Sequence, residues 1–485
     1  MKKYFYIMAG LVTIGLSGCK KDFLELSVNP NTPSVTTPQF TLAGALKVAS
    51  DIVNINYPHY GVWAGQLSPS GNYVPSPQLQ QYQFTTDNYQ VFAPLYANLT
   101  NFNTLETISA DASFAKFRAI AKIMKAYDFE QLVDNYNNVP YTEAFNSSKT
   151  LFPKYDKGAD IYADLIKQID AAIALIDGNA SATSPDVSDI VFKGDMAKWK
   201  LFANTLKLRL AVRGKLTATL PASGDANYLN ASVKAATQPG YANSDAVGGQ
   251  QSPFWRSFGF DQNGNPTGNN AYYRANAYEL GILTATNDTL RARAFYAAIA
   301  NDPKKIKRVG IIFGDDSAVP NAGTSAIGPG LLKSATQDGI LMSSAESYFL
   351  QAEAVVNGTI TGNAQTLYES GITASFVALG LSADDAKTYY NQPIANVSWA
   401  ASTNKLQAII TQKWISLTGY GSLEAYNEIR RTGYPAVPRS IDSKAIGTGL
   451  PTRVFYPTSE YQQNADNVGK EGTIDPFKSK IFWAK

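Results

Sequence analysis

Apolar residues recurring at helical spacing run through most of this chain, and that pattern limits its possible folds more than any other feature. Ile161, Leu165, Ile169 and Ile173 recur every fourth residue, with Asp160 ahead of them as a candidate cap. Phe114, Phe117, Ile120, Ala121 and Met124 form a second stripe, extended by Phe129, Leu132 and Val133 until Pro140 stops it. Trp199, Phe202, Ala203, Leu206 and Leu210 make a third, and Met342, Ala345, Phe349, Ala352 and Val356 a fourth. Tyr368, Ile372 and Phe376, then Trp414 and Leu417, lie on further candidate helices. A Trp on such a stripe belongs to the core, so Trp199 and Trp414 are expected to be buried.

The expected fold class is therefore mainly α. Paired helices rich in Ala, Tyr and Phe are similar to tetratricopeptide hairpins, although no strict 34-residue period is present. Between the helices lie long polar stretches at 66–88, 216–275, 300–338 and 436–480. Their mixture of Gly, Asn, Pro, Ser and aromatics predicts long ordered loops rather than linkers, and such loops on a rigid scaffold carry function. No charge run divides the chain, so residues 39–485 are read as one domain.

Composition removes several classes of chemistry. Charges nearly balance, with 42 basic and 39 acidic residues, so no nucleic-acid face is expected. One Cys and one His, His59, exclude a disulfide framework, multi-Cys zinc and HExxH sites. A Ser-His-Asp triad could draw on only that one base. His59 itself is expected at a helix end or turn. Gly469-Lys470 lacks the flanking residues of a phosphate loop, and no Ser has a GxSxG setting. Asp261-Gln262-Asn263-Gly264-Asn265 offers alternating oxygens, but its Gly is misplaced for a calcium loop; an Asn/Gly turn is expected. No metal or other cofactor is expected.

The start of the chain reads as an address. Lys2 and Lys3 precede an apolar run of 13 residues, Tyr4 to Leu16, too short to span a bilayer at the roughly 20 residues that requires. Leu16-Ser17-Gly18-Cys19 resembles a bacterial lipobox, which implies removal of residues 1–18 and acylation of Cys19. Residues 19–38, with Asn29-Pro30-Asn31-Thr32-Pro33, read as an extended lipidated tether.

Further motifs follow in a telling order. Phe23-Leu24-Glu25 comes after the lipobox, and Leu132-Val133-Asp134-Asn135-Tyr136 leads into Val139-Pro140-Tyr141-Thr142-Glu143-Ala144. Gly194-Asp195-Met196-Ala197-Lys198-Trp199 opens a helix ending Leu208-Arg209-Leu210-Ala211-Val212-Arg213. Ala345-Glu346-Ser347-Tyr348-Phe349, Gln412-Lys413-Trp414, Glu424-Ala425-Tyr426-Asn427-Glu428-Ile429-Arg430-Arg431 and finally Trp483 complete the series. Across the mature chain this series resembles the SusD/RagB family of nutrient-binding outer-membrane lipoproteins, in its second, SusD-like subgroup. Asn137-Asn138 stand where that family usually has Gly-Asp. The resemblance implies a non-enzymatic lipoprotein facing the cell exterior. It would cap a SusC-like TonB-dependent β-barrel and hand over an oligosaccharide or, in some branches, a peptide.

Glu346 and Glu353, seven residues apart on one helix, are about 10 Å apart along its axis. Glycosidase carboxylates normally come from separate elements, so these two are expected to pair with Arg209, Arg213, Arg430 or Arg431. The adjacent Asp315 and Asp316 are equally ill-placed for hydrolysis. Aromatics in the long loops suit sugar rings, whose C–H faces pack on them while amides and charges meet the hydroxyls. The candidates are Trp63, Gln66, Asn72 and Tyr73, with Tyr82 nearby, and Trp255, Arg256, Phe258, Asn269, Asn270, Tyr272, Tyr273 and Arg274. A non-catalytic protein-binding scaffold and a surface glycoside hydrolase are the competing readings.

Overall fold

The computed structural model describes residues 36–146, 148–244 and 249–485. Cys19, the lipobox and most of the tether lie outside the described residues. The first helix, α1 (Pro38–Ile55), begins where Pro sits comfortably in a first turn, and Thr37 caps it by accepting from Phe40 N. Next come α2 (Pro58–Trp63), α3 (Phe92–Ile108), α4 (Ala115–Tyr136), α5 (Gly158–Gly178) and α6 (Met196–Gly214). Short α7 (Pro253–Phe258), α8 (Gly268–Tyr272), α9 (Ala277–Ala285) and α10 (Thr289–Phe295) occupy the middle. The later series is α11 (Ser344–Val356), α12 (Ala364–Ala378), α13 (Ala383–Tyr390), α14 (Lys405–Ser416) and α15 (Ser422–Thr432).

Neighbouring helices pack in sequence, α3 on α4, α4 on α5 and α5 on α6, then α11 on α12 and α12 on α13. That is the helical-repeat arrangement the stripes predict. Phe117, Ile120, Ala121 and Met124 are fully buried, as are Trp199 and Trp414. Two details differ. Asp160 does not cap α5: Lys157 holds that position, and Asp160 lies in the first turn, where the helix dipole favours an acid. Met342 falls at the end of a strand, buried all the same. His59 is in the first turn of α2, stacked on Tyr89 with ring centroids 4.3 Å apart. Burial, then the Arg430 charge, lowers its pKa to about 3 and keeps it neutral.

The strands form two-stranded antiparallel ribbons: β1 (Leu67–Pro69) with β5 (Tyr273–Ala275), β2 (Val139–Pro140) with β3 (Tyr155–Asp156), and β4 (Ala235–Thr237) with β6 (Gly339–Met342). After α4 the chain turns through Asn137 at φ 66°. With ψ at −82° the residue lies outside the left-handed helical well that Asn tolerates, so a Gly would sit there at less cost. Its neighbour Asn138 accepts from Gly158 N at 3.0 Å. A Cβ on Gly158 would lie 2.5 Å from the Asn137 carbonyl oxygen, so that turn also fixes a glycine at the start of α5.

Through the middle of the helices runs a buried ionic network. Arg209 Nε donates to Glu130 Oε1 at 2.9 Å and Arg209 Nη1 to Glu346 Oε1 at 3.0 Å. Arg213 Nη1 reaches Asp134 Oδ2 at 2.6 Å, while Nη2 pairs with Glu424. The network thereby ties α6 to α4, α11 and α15. Trp483 Nε1 donates to Asp134 Oδ1 at 2.9 Å, which brings the chain's end into it. A second network joins Lys413 to Glu428 at 2.8 Å and Arg431 to Glu353 at 2.6 and 2.7 Å. Glu346 and Glu353 are thus the helix ties their spacing suggests. In the first network four carboxyls face two guanidiniums, and burial holds Glu130 up at about 7 despite Arg209 and Arg213. Replacing Arg209 by Met leaves Glu346 buried and unpaired, and should lower stability by about 3–5 kcal/mol in a denaturant melt.

Candidate functional site

The β1–β5 ribbon decides which loop residues meet. Leu67 faces Ala275, Ser68 faces Arg274 and Pro69 faces Tyr273, joining stretches some two hundred residues apart in sequence. Ser70 N extends the pairing with a 2.8 Å bond to Tyr272 O. Just beyond, the Tyr73 and Tyr272 rings meet edge to face, with centroids 5.1 Å apart. Tyr273 stands at 5.0 Å from Tyr272 and is buried beneath. Tyr73 is 45% exposed, Asn72 is exposed and Tyr272 is half-buried. Burial, then the neighbouring Tyr73 phenol, raises the Tyr272 pKa, so its hydroxyl stays a neutral donor and acceptor.

One residue that the sequence reading did not single out organises this surface. Asn321 Nδ2 donates to Ala271 O at 2.9 Å, its Oδ1 accepts from Ser70 Oγ at 2.5 Å, and its N–H donates to Asn72 Oδ1 at 3.3 Å. It thereby pins the β1 turn, the end of α8 and the 317–323 loop together. Nothing in its neighbourhood marks it except its place in a long polar stretch. Gly71 allows the approach, since a Cβ there would meet Val319 N at 2.7 Å.

Several other candidates are structural. Trp63 is 1% exposed and packs among Tyr60, Tyr82, Phe84, Tyr89 and Tyr426, with its Nε1 bonded to Leu79 O at 3.2 Å. Gln66 is buried and donates to Trp414 O at 2.8 Å. Tyr82 is buried, accepting from Ser440 N at 2.8 Å. Phe258 packs between Phe254 and Tyr273. Arg274 is buried too, with Nε on Thr324 Oγ1 at 3.1 Å and Nη2 on Asn321 O at 3.0 Å. Desolvation lowers its pKa to about 10. Aromatic and amide side chains in these stretches roof the core, because the loops must bury apolar surface of their own.

The remaining candidates hold the α7–α8 corner. Asn269 Nδ2 donates to Ser257 Oγ at 3.0 Å and Asn270 Nδ2 to Phe258 O at 2.8 Å. Arg256 lies 3.4 Å from Asp51 on α1. Trp255 is half-buried, 5.5 Å from the Phe260 ring, and its Nε1 finds no partner among the described residues. The Asp261 carboxylate is consumed by its own turn, accepting from Asn263 N and Asn265 N at 2.9 and 2.8 Å. Among the described residues no group of three or more His, Cys, Asp or Glu side chains could hold a metal ion. A cavity of 570 Å³ between α11 and α12 has none of the predicted residues on its wall.

The fold and this surface define the class as a helical-repeat scaffold that presents tyrosines and amides on long loops. The chain belongs to the SusD-like family described as starch-binding and associating with the outer membrane, whose model matches residues 30–457. An outer membrane protein of Bacteroides vulgatus, assigned to nutrient binding, superposes with TM-score 0.75 at 23% identity, covering 93% of this chain and all (100%) of that one. A SusD homologue of Bacteroides fragilis gives 0.73 at 21% identity, covering 93% and 100%. A chitin-binding SusD homologue of Flavobacterium johnsoniae gives 0.71 at 23%, covering 91% and 98%. None of the curated proteins matches.

Trp63, a sequence candidate for ligand contact, should behave as core. Trp63→Ala is expected to cost about 3–5 kcal/mol in chemical denaturation, a loss far larger than a ligand platform would give.

Proposed function

We propose that this protein binds an oligosaccharide on the surface formed by Asn72, Tyr73 and Tyr272 and delivers it to a SusC-like TonB-dependent barrel. The observation that carries the reading is the pairing of exposed Tyr73 with half-buried Tyr272, held from beneath by Tyr273 and by the Asn321 bond to Ala271. Two rings at 5.1 Å offer apolar faces and edges to sugar C–H groups, and the phenols and the Asn72 amide supply donors and acceptors for hydroxyls. Their fixed placement cuts the ordering cost of binding. The family's starch-binding description and the chitin-binding Flavobacterium relative support the ligand class.

The role is non-catalytic in this reading. Glu346 and Glu353 are committed to Arg209 and Arg431, and the exposed tyrosines carry no nucleophile–base pair. Residues 1–18 act as signal peptide, 19–38 as lipidated tether and 39–485 as the binding domain. Lipid on Cys19 holds the protein to the outer membrane, facing outward.

Calorimetric titration of residues 20–485 with maltohexaose, chitohexaose and a panel of oligopeptides tests the ligand class. Tyr73→Ala should weaken the glycan that binds by at least about tenfold with an unchanged unfolding midpoint. Equal binding by wild type and variant would remove the site, and binding of oligopeptides alone would replace the glycan. In cells, Cys19→Ser should abolish incorporation of labelled palmitate; labelling that persists would refute the anchor.

A further inference from the structure

Away from the tyrosine surface, a cavity of 330 Å³ opens between α3, α4, α5 and the 141–146 loop. Asn103 and Glu106 from α3, Lys122 and Lys125 from α4 and Gln168 from α5 line it, and Asp164 stands one turn before Gln168, just behind the wall. They are tied into one chain of contacts. Lys125 Nζ donates to Asn103 Oδ1 at 3.0 Å and to Glu106 at 3.1 Å. Lys122 Nζ lies 2.6 Å from Glu106 and 3.0 Å from Gln168 Oε1. Gln168 Nε2 then donates to Asp164 Oδ2 at 3.2 Å, which also accepts from Tyr141 at 2.6 Å. Below this rim, Phe129 meets Tyr141 at 4.7 Å and Phe145 at 6.1 Å between ring centroids.

The arrangement is selective for a particular chemistry. On the wall the Lys122 and Lys125 ammonium groups share Glu106, and Asp164 behind Gln168 and Tyr141 offsets the remaining charge, so the cavity favours neither an anion nor a cation. Glu106 stays ionised through the neutral range: burial would raise its pKa, but the Lys122 and Lys125 ammonium groups outweigh that and lower it. Charged donors and acceptors form the stronger kind of hydrogen bond to a hydroxyl. Lys122, Lys125 and Glu106 are only 19%, 20% and 22% exposed, so most of their water has already been stripped and their geometry is set. An apolar aromatic floor under a neutral, two-signed polar rim matches a molecule with a C–H face and several hydroxyls. The volume falls at the small end of ordinary ligand pockets, about 300–1,000 Å³.

We propose that this cavity is a second binding site, taking a single sugar ring or a similar neutral polyol, separate from the Tyr73–Tyr272 surface. It rests on the oligosaccharide reading for the kind of sugar that would reach it. A cavity of this size should accept a monosaccharide by itself. Saturation-transfer NMR with glucose and with N-acetylglucosamine on residues 20–485 is the test, comparing wild type, Tyr73→Ala, Gln168→Ala and Lys125→Met. Lys125→Met keeps the apolar stem beside Phe145 and removes one donor, and unfolding midpoints confirm that each variant folds. Transfer from one monosaccharide in wild type and Tyr73→Ala, reduced at least about fivefold in Gln168→Ala and Lys125→Met, is the expected result. Transfer from neither sugar in wild type overturns the proposal, as does a signal lost in Tyr73→Ala and kept in both cavity variants. Hexasaccharide calorimetry on Tyr73→Ala decides the surface site independently, so either reading can fail without the other.

Discussion

Arg209 and Arg213, one turn apart on α6, are the groups on which the packing of the helices depends. They face Glu130 and Asp134, one turn apart on α4, and each reaches a further acid, Glu346 on α11 or Glu424 on α15. Desolvating so many charges brings little net stability, since a well-packed apolar set of the same volume often does as well. What the charges add is discrimination. Sliding α6 by one residue along α4 would move both guanidiniums off both carboxylates together, leaving unpaired charges in the interior. An apolar stripe such as Phe202, Leu206 and Leu210 tolerates that slip much better, because one apolar contact resembles the next. Trp483 on Asp134 extends the same control to the far end of the chain.

The parts of this fold that the sequence makes legible are those with a period. The stripes of α4, α5, α6 and α11 place their helices, and a seven-residue spacing was enough to recognise Glu346 and Glu353 as ties to arginines. The loops have no such period. An aromatic in a polar stretch looks the same whether it roofs the core or faces solvent, and Trp63, Phe258 and Tyr273 do the former. Arg274 was legible as a polar rim group and is a buried clamp on the 321–324 turn. Which aromatics remain outside depends on the β1–β5 pairing, a contact between segments too distant for local pattern to reveal. Asn321 is hidden for the same reason: its three partners lie in two segments, 70–72 and the end of α8, both far from it in sequence.

Burying most of their aromatics is also what makes these loops usable. A long loop of Gly, Asn and Pro loses much entropy on ordering, and apolar burial of its own is the main force available to offset that. Tyr273, Phe258 and Phe254 provide the burial, and Tyr272 and Tyr73 ride on top of them. The pair, Tyr73 from a turn and Tyr272 from the last position of α8, inherits a rigid base. Asn321 adds directional bonds that burial cannot, fixing the turn at residues 70–72 against α8. A recognition surface assembled this way can vary at its outermost side chains while the roof beneath keeps its shape.

The helical half of the molecule uses the opposite economy. On α4, one face carries Glu130 and Asp134 into the ionic network, another carries Phe117, Ile120 and Met124 into the core, and a third presents Lys122 and Lys125 to the cavity beside α3 and α5. Read in sequence, the last pair is indistinguishable from an ordinary solvated helix face, since lysines three apart are common there. Only the neighbouring helices distinguish them. Two like charges one turn apart repel, so they destabilise α4 unless something lies between them. Glu106 from α3 fills that position, and Gln168 from α5 holds Lys122 from the other side. A solvated face would not need such support, because water screens exposed charges. The desolvation and cross-helix bracing of these lysines therefore favour a polar pocket over a surface that merely keeps the protein in solution.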